Sequence, residues 1–359
     1  MPKLREIKIS NFRGLENLVI KDFSKVNLFV GKNNSGKTTI LEALVFLFGM
    51  SNPTLPHNIN LFRGIGIKTD SAKQLLYFFN KLTTKNKPSF SGQFDNKEER
   101  TLNFEPIYSS NTEHKSDIQN SANLDIESKT HTEITGINFA FSINQKSYKT
   151  SILLQNNFWK IGVTNDYEEK LFAFFITNAK NDEVTLLNYS KILERNDKKD
   201  KNYILELLQN VDKNITNIQI LTGGIYFELE NVNTLVPINI MGDGIRRLLH
   251  IITAVISRQS SFVCVDEIEN GLHFSAYELL WEGLLDLSEK YDVQLFISTH
   301  SLETISYLKS LLEEEKNKQK QSFVKVFTVA RTEKEGYKTY GYSYEGFESA
   351  INNGIEIRS

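Results

Sequence analysis

Apolar and polar positions alternate from the first residues of the chain. Leu4, Ile7 and Ile9 stand among Arg5, Glu6 and Lys8, which predicts a half-buried strand, and Asn11-Phe12-Arg13-Gly14 offers a turn. Leu18-Val19-Ile20 reads as a second strand and Val26-Asn27-Leu28-Phe29-Val30, nearly all apolar, as a buried one. A helix is expected from Lys37 through Leu41, Leu44, Val45 and Leu47, stopped by Gly49. Pro53 and Pro56 mark a loop. A short amphipathic helix is expected over 71–82, with Leu75, Leu76, Phe78 and Phe79 on its buried side.

From about 90 to 240 the texture changes. Thr101-Leu102-Asn103-Phe104 and the alternating run 137–143 suggest antiparallel strands, and the polar stretch 109–132 reads as a mobile surface loop. A helix is expected over 189–211. Its lysines stand among Glu194, Asp197 and Asp200, and mixed signs favour a solvated face over a nucleic-acid patch. There is no internal repeat and no run of heptads for a long coiled coil. The last third alternates again: a helix over 244–257, the strand Phe262-Val263-Cys264-Val265, a helix over 275–290, a buried strand over 293–297 and a helix over 301–315. Two strands, near 324–329 and 337–342, close it. Buried strands separated by helices imply crossovers and a largely parallel sheet.

Composition narrows the class. With 359 residues and 40% hydrophobic content, the chain is long enough to bury a sizeable core. Its net charge of −2 carries no global basic signature of nucleic-acid binding. The single cysteine, Cys264, excludes a disulfide framework within the chain and suits a reducing compartment. No apolar run approaches the length of a membrane span and Met1-Pro2-Lys3-Leu4-Arg5-Glu6 does not resemble a secretory leader, so the expectation is a cytoplasmic protein without a membrane partner.

Three motifs carry chemistry. Gly31-Lys32-Asn33-Asn34-Ser35-Gly36-Lys37-Thr38 fits the phosphate-loop pattern, with a buried strand before it and a helix after it. Its glycines let backbone N–H groups curl around phosphates, and the helix N-terminus adds a positive dipole. Lys37 is expected at the β- and γ-phosphates of ATP and the Thr38 hydroxyl on Mg²⁺. Gly31, Asn33, Asn34, Ser35, Gly36 and Thr39 complete the nucleotide-binding set. The strand Phe262–Val265 ends in two carboxylates, Asp266 for Mg²⁺ and Glu267 as general base for the attacking water. The next buried strand ends in Thr299-His300, and that imidazole is expected to contact the γ-phosphate.

The order of these motifs resembles the ATPase heads of ABC, SMC and RecF proteins, as does the opening Ile9-Ser10-Asn11-Phe12-Arg13-Gly14-Leu15. A closer resemblance, to the ATPase domain of the OLD (overcoming lysogenization defect) family and its stand-alone bacterial relatives, lies in Met241-Gly242-Asp243-Gly244-Ile245-Arg246-Arg247 and Asp266-Glu267-Ile268-Glu269-Asn270-Gly271-Leu272-His273. It covers roughly 1–65 and 215–345. The resemblance implies an α/β fold: an ABC-type (SMC/RecF-like) head with a mostly parallel sheet, an antiparallel β lobe and an inserted α/β region. The implied division is 1–65 and 215–359 for the head and 66–214 for a divergent, partner-binding insert.

It also implies that Arg13 approaches the nucleotide and that two subunits pair head to tail around two ATPs. In that sandwich Gly242-Asp243-Gly244 would face the partner's phosphate loop. This motif departs from L-S-G-G-Q, with glycine at the serine position and aspartate at the first glycine. Glu269-Asn270-Gly271 resembles the loop linking the two sites. Gln74 and Gln93 both remain candidates for the family's glutamine loop. The stretch after His300 contains no Asp, so the Toprim metal cluster of OLD nucleases is not expected there, and cleavage would fall to a separately encoded effector. The leading functional reading is the ATPase sensor or scaffold of a bacterial antiphage defence system. A RecF-like repair ATPase, with DNA as a candidate partner, and a nucleotide-gated scaffold with little turnover are the alternatives.

Overall fold

The computed structural model describes residues 1–65, 72–110, 132–155, 158–163, 167–178, 181–195, 198–332, 336–354 and 357. Strands β1 (Leu4–Phe12), β2 (Leu15–Lys21) and β3 (Val26–Val30) come first, then helices α1 (Lys37–Phe48) and α2 (Leu55–Phe62). Strands β4 (Ser89–Phe94), β5 (Glu99–Ser110), β6 (Thr132–Ile143), β7 (Lys146–Gln155) and β8 (Phe158–Val163) extend the antiparallel sheet begun by the first two, in the order β2-β1-β4-β5-β6-β7-β8. After β9 (Ala173–Ile176) come α3 (Asp182–Glu194) and α4 (Lys198–Val211). A small antiparallel sheet follows, of β10 (Ile215–Leu221), β11 (Gly224–Leu229) and β12 (Val236–Pro237). The chain then alternates through α5 (Asp243–Ser257), β13 (Phe262–Val265), α6 (Tyr277–Lys290), β14 (Gln294–Thr299) and α7 (Leu302–Glu313). It closes with β15 (Val324–Thr332), β16 (Gly336–Tyr342) and α8 (Tyr344–Asn352).

The second large sheet has the order β16-β15-β3-β14-β13-β9 and is parallel except for β16. Its inner strands β3, β13 and β14 are covered on both faces, which is why they read as mostly apolar runs. The period of two sorts them. Val26, Leu28, Val30, Val263, Val265, Leu295 and Ile297 join the core under α5, α6 and α7. Phe29, Phe262, Cys264 and Phe296 join the opposite core around α1. That helix lies between the two large sheets and is buried almost all round, with Phe48 stacked on Phe262 at 3.8 Å. Phe46 meets Phe12, Phe90 and Phe104 of the antiparallel sheet at 5.7, 5.9 and 5.1 Å. The phosphate-loop helix is therefore clamped by aromatic packing on both sides.

Two expected helices differ. The segment after α2 is not an α-helix but two short 3₁₀ turns, Ala72–Phe78 and Asn80–Leu82. The Arg13 amide donates to the Phe78 carbonyl and Phe12 bridges to Phe79, so backbone pairing with the β1–β2 turn replaces helical bonds. The helix expected over 189–211 is two, α3 and α4. Arg195, at the break, donates to the Ile256 and Ser257 carbonyls at 2.8 Å each and caps α5. Most of the expected mobile loop lies outside the described residues. Among the described residues no helix is long and apolar enough to cross a membrane, and Cys264 is buried and free.

Candidate functional site

The C-terminal ends of β3, β13 and β14 meet at one edge of the parallel sheet, the edge where open α/β sheets bind ligands. The loop after β3 turns through Asn34 (φ 63°) and Gly36 (φ 98°) into α1. Only glycine fits well at Gly36, since its backbone is left-handed and a Cβ would lie 3.0 Å from the Tyr337 ring. The Lys37 ammonium lies across the loop, donating to the carbonyls of Gly31 and Lys32 at 2.8 and 3.0 Å. Residues 33–39, Arg63, Glu267 and Tyr337 line a groove of about 530 Å³, ample for a nucleotide.

Thr38 and Asp266, far apart in sequence, meet here. The Thr38 hydroxyl lies 3.0 and 2.9 Å from the two Asp266 oxygens, and Ser298 Oγ donates to Asp266 Oδ1 at 2.6 Å. Burial pushes the Asp266 carboxyl above its ordinary range. The Ser298 and Thr38 hydrogen bonds pull it down, and neighbouring Glu267 and Glu42 push it up again. A desolvated carboxylate beside a hydroxyl, facing a polar groove, suits Mg²⁺, which takes one or two carboxylates and keeps water or phosphate for its remaining positions. The donor set therefore fits that ion. Among the described residues no group of three or more His, Cys, Asp or Glu forms a denser metal cluster.

Glu267 sits in a left-handed backbone (φ 47°), with its N–H donating to Ser298 Oγ at 2.8 Å. Its carboxylate Oε2 accepts from Asn178 and Asn270 side-chain amides, both at 2.6 Å. Arg247, about one turn into the signature segment's helix, donates to the carbonyls of Thr177 (2.5 Å), Asp266 (3.0 Å) and Glu267 (3.4 Å). Burial pulls this guanidinium down to about 10, against Asp266, Glu269 and Glu267, so it stays cationic at neutral pH.

The other expected site residues are dispersed. His300 follows β14, but its Nδ1 and its backbone N–H both address Glu269 Oε1, at 2.9 and 2.8 Å, and its ring is not part of the groove lining. Arg13 is drawn to the buried Glu42 (Nε to Oε2, 2.8 Å), with its guanidinium over Phe78. Arg63, bound to the other oxygen of Glu42 at 2.6 Å, is the guanidinium that lines the groove. Gly242, Asp243 and Gly244 open α5 beside Gly271 and do not line the groove of the phosphate loop. Gly242 is exposed, and a Cβ placed there would meet nothing within 4 Å. Gln93 lies exposed on β4 and Gln74 in the first 3₁₀ turn, and neither lines the groove.

Asn178, Arg63, Arg247 and Tyr337 were not singled out as site residues from sequence. Arg247 and Asn270 lay inside quoted motifs. Asn178 follows β9, a four-residue strand without its own sequence signature, and only the fold brings Arg63 and Tyr337 to the loop.

Residues 26–306 match the family described as "AAA domain, putative AbiEii toxin, Type IV TA system". A Helicobacter pylori protein named ATP/GTP phosphatase is 26% identical over 340 residues, covering 87% of this chain and 89% of its own. The DNA replication and repair protein RecF of Lactococcus lactis subsp. cremoris is 39% identical over 64 residues, 18% of each chain. Among solved structures, an SMC head bound to the C-winged helix domain of ScpA superposes with a TM-score of 0.52 at 12% identity, covering 96% of this chain and 99% of that one. The SMC head domain from Thermotoga maritima gives 0.50 at 10% identity, covering 95% and 99%. The architecture is that of an α/β ABC/SMC-type ATPase head with mixed sheets, as the motif order led us to expect.

Proposed function

The chain belongs to this AAA-domain family, and from that premise we propose that it binds ATP and Mg²⁺ and hydrolyses ATP at the groove between α1 and the ends of β13 and β14. The observation that carries the reading is the meeting of Thr38 with Asp266 immediately beside Glu267, in a groove floored by the phosphate loop. Lys37, the loop amides and the α1 N-terminus hold the phosphates, with Arg63 adding positive charge. Thr38 and Asp266 would hold Mg²⁺, which when bound neutralises charge on the phosphate oxygens. Glu267 accepts a proton from water as the water oxygen bonds to the γ-phosphorus. The bond to the β–γ bridging oxygen breaks, and ADP and phosphate leave. Both amide bonds fall on Oε2 of Glu267, which leaves Oε1 to take the proton. His300 is assigned to the γ-phosphate and Arg13 to the nucleotide as the chains pair.

Gly242, Asp243 and Gly244 are assigned to the partner's nucleotide in a head-to-tail pair, because within one chain they do not line the groove. Residues 66–214 are assigned to a separately encoded effector, to be sought first among Toprim-type nucleases, with the pair acting as sensor or scaffold in bacterial antiphage defence. The OLD-like motifs and the family's description as a toxin–antitoxin component support that role. A second reading, a RecF-like repair ATPase acting on DNA, is favoured by the local likeness to RecF. Turnover stimulated by DNA would select it. The core reading is tested by equilibrium titration and phosphate release. Lys37→Ala abolishes ATP binding, whereas Glu267→Gln keeps binding and stops turnover. Equal loss of affinity in both variants would refute the assigned roles.

A further inference from the structure

We propose that Tyr337 forms the nucleobase subsite of this groove, a stacking platform that accepts purine nucleoside triphosphates without distinguishing adenine from guanine. The inference rests on the nucleotide reading above and extends it to the far end of the ligand. The sheet order places the two ends. Glu267 follows β13, two strands to one side of β3, and Tyr337 opens β16, two strands to the other. Strands lie about 4.8 Å apart, so the two residues stand roughly 20 Å apart across the sheet edge, with the phosphate loop between them. β15 runs parallel to β3 and β16 returns from it, so the start of β16 lies at the same edge as the loop. A triphosphate with its γ end at Glu267 extends its nucleoside away from that carboxylate, toward Tyr337.

The surroundings of the ring are built for close approach. A Cβ at Gly36 would come within 3.0 Å of Tyr337 Cε1, and one at Gly14 within 3.2 Å of its hydroxyl. Glycine at both positions lets the ring sit directly over the loop that receives the phosphates. Tyr337 is half-buried and lines the groove, and the Arg331 guanidinium lies 5.5 Å from its ring centroid. A ring held by backbone on its edge and by a cation over it loses little freedom when a base stacks on it. Stacking reads the π face that every base has and not its hydrogen-bonding edge. It is therefore tolerant of base identity and strongest for the larger purines.

The test uses the full chain, titrated at equilibrium with Mg²⁺ complexes of ATP, GTP, CTP and inorganic tripolyphosphate. Tyr337→Leu keeps bulk against Gly14 and Gly36 while removing the π face, and Tyr337→Phe keeps both. We expect Tyr337→Leu to weaken ATP and GTP by roughly 5- to 150-fold and leave tripolyphosphate unchanged. Tyr337→Phe should stay near wild type, and wild type should bind ATP and GTP alike and CTP less well. Equal weakening of ATP and tripolyphosphate would show a ring that only props the loop and would overturn the proposal, as would an unchanged affinity for ATP. A wild-type protein that binds tripolyphosphate as tightly as ATP also overturns it, while leaving the phosphate-loop reading intact. Wild type binding none of the four removes the nucleotide reading itself.

Discussion

Replacing Arg247 with methionine separates what holds this molecule together from what makes it turn over. Arg247 is 9% exposed, and burial pulls its guanidinium well below the ordinary arginine range, to about 10, a cost of about 3 kcal/mol net of the attraction of Asp266, Glu269 and Glu267. Against that cost stand the bonds to the Thr177 and Asp266 carbonyls at 2.5 and 3.0 Å and a weaker one to Glu267 at 3.4 Å. Hydrogen bonds to a charged group contribute about 1.5–3 kcal/mol each. Methionine keeps most of the apolar stem, relieves the desolvation and leaves the carbonyls orphaned, for a net loss of about 2 kcal/mol of stability. Turnover should suffer far more. Glu267 stands at φ 47°, a conformation costing about 1–3 kcal/mol that persists only while its neighbours enforce it. Freed to relax, the turn moves the carboxylate, and a displacement of about 1 Å costs about 100-fold in rate. Arg247→Met is therefore expected to lower kcat about 100-fold while ATP affinity changes less than about threefold. Steady-state phosphate release, nucleotide titration and urea unfolding measure the three quantities. Wild-type kcat alongside the stability loss would refute the argument and reduce Arg247 to a packing residue.

Two further outcomes follow from the same neighbourhood. Asn178→Ala removes one of two amides on Glu267 Oε2 and is expected to lower kcat about 10-fold without changing ATP affinity, and unaltered kcat would remove Asn178 from the positioning shell. His250, buried and 2.7 Å from Thr185 Oγ1, is pulled from 6.5 to about 4 by burial and by Arg247. The unfolded chain then takes up a proton that the fold refuses, so stability is full above about pH 6.5 and declines as pH falls toward 4, by about 3 kcal/mol in all. Urea midpoints across that range should fall for wild type and flatten for His250→Asn, and identical slopes would contradict the assignment.

How much of this was legible beforehand depends on the range of the interaction. The phosphate loop needs only its own glycines, the strand before it and the helix after it, all within 26–48, and so could be read locally. Asp266 and Glu267 could be read because a buried parallel strand is an apolar run whose end is marked by the first charge. The 3₁₀ turns after α2 could not. Leu75, Phe78 and Phe79 suit a helix face equally well, and what decides is the pairing with Phe12 and Arg13 more than sixty residues earlier. Arg195 breaks the long charged helix for a similar reason, since its partners are carbonyls at the end of α5. Tyr337 carries no motif, and its place against Gly36 exists only once β15 and β16 have joined the sheet.

The Gly242–Gly244 turn stands outside the groove of the phosphate loop, yet a single turn of backbone connects the two. On one side Thr38 holds the Asp266 carboxylate, and on the other Arg247 holds the Asp266 and Glu267 carbonyls from the helix that Gly242 caps. Gly271 adds a second link, because its carbonyl lies 3.5 Å from where a Gly244 Cβ would stand, and Asn270 beside it grips Glu267. A load on the N-terminus of α5 therefore reaches the carboxylate through groups already in contact, without a rearranged core. In the proposed head-to-tail pair that load is the partner's bound nucleotide. Linkage makes the effect mutual: whatever the docking of a second head does to the Glu267 turn, the state of that turn does to the affinity between heads. In that proposal, pairing and hydrolysis are two readings of one strained turn.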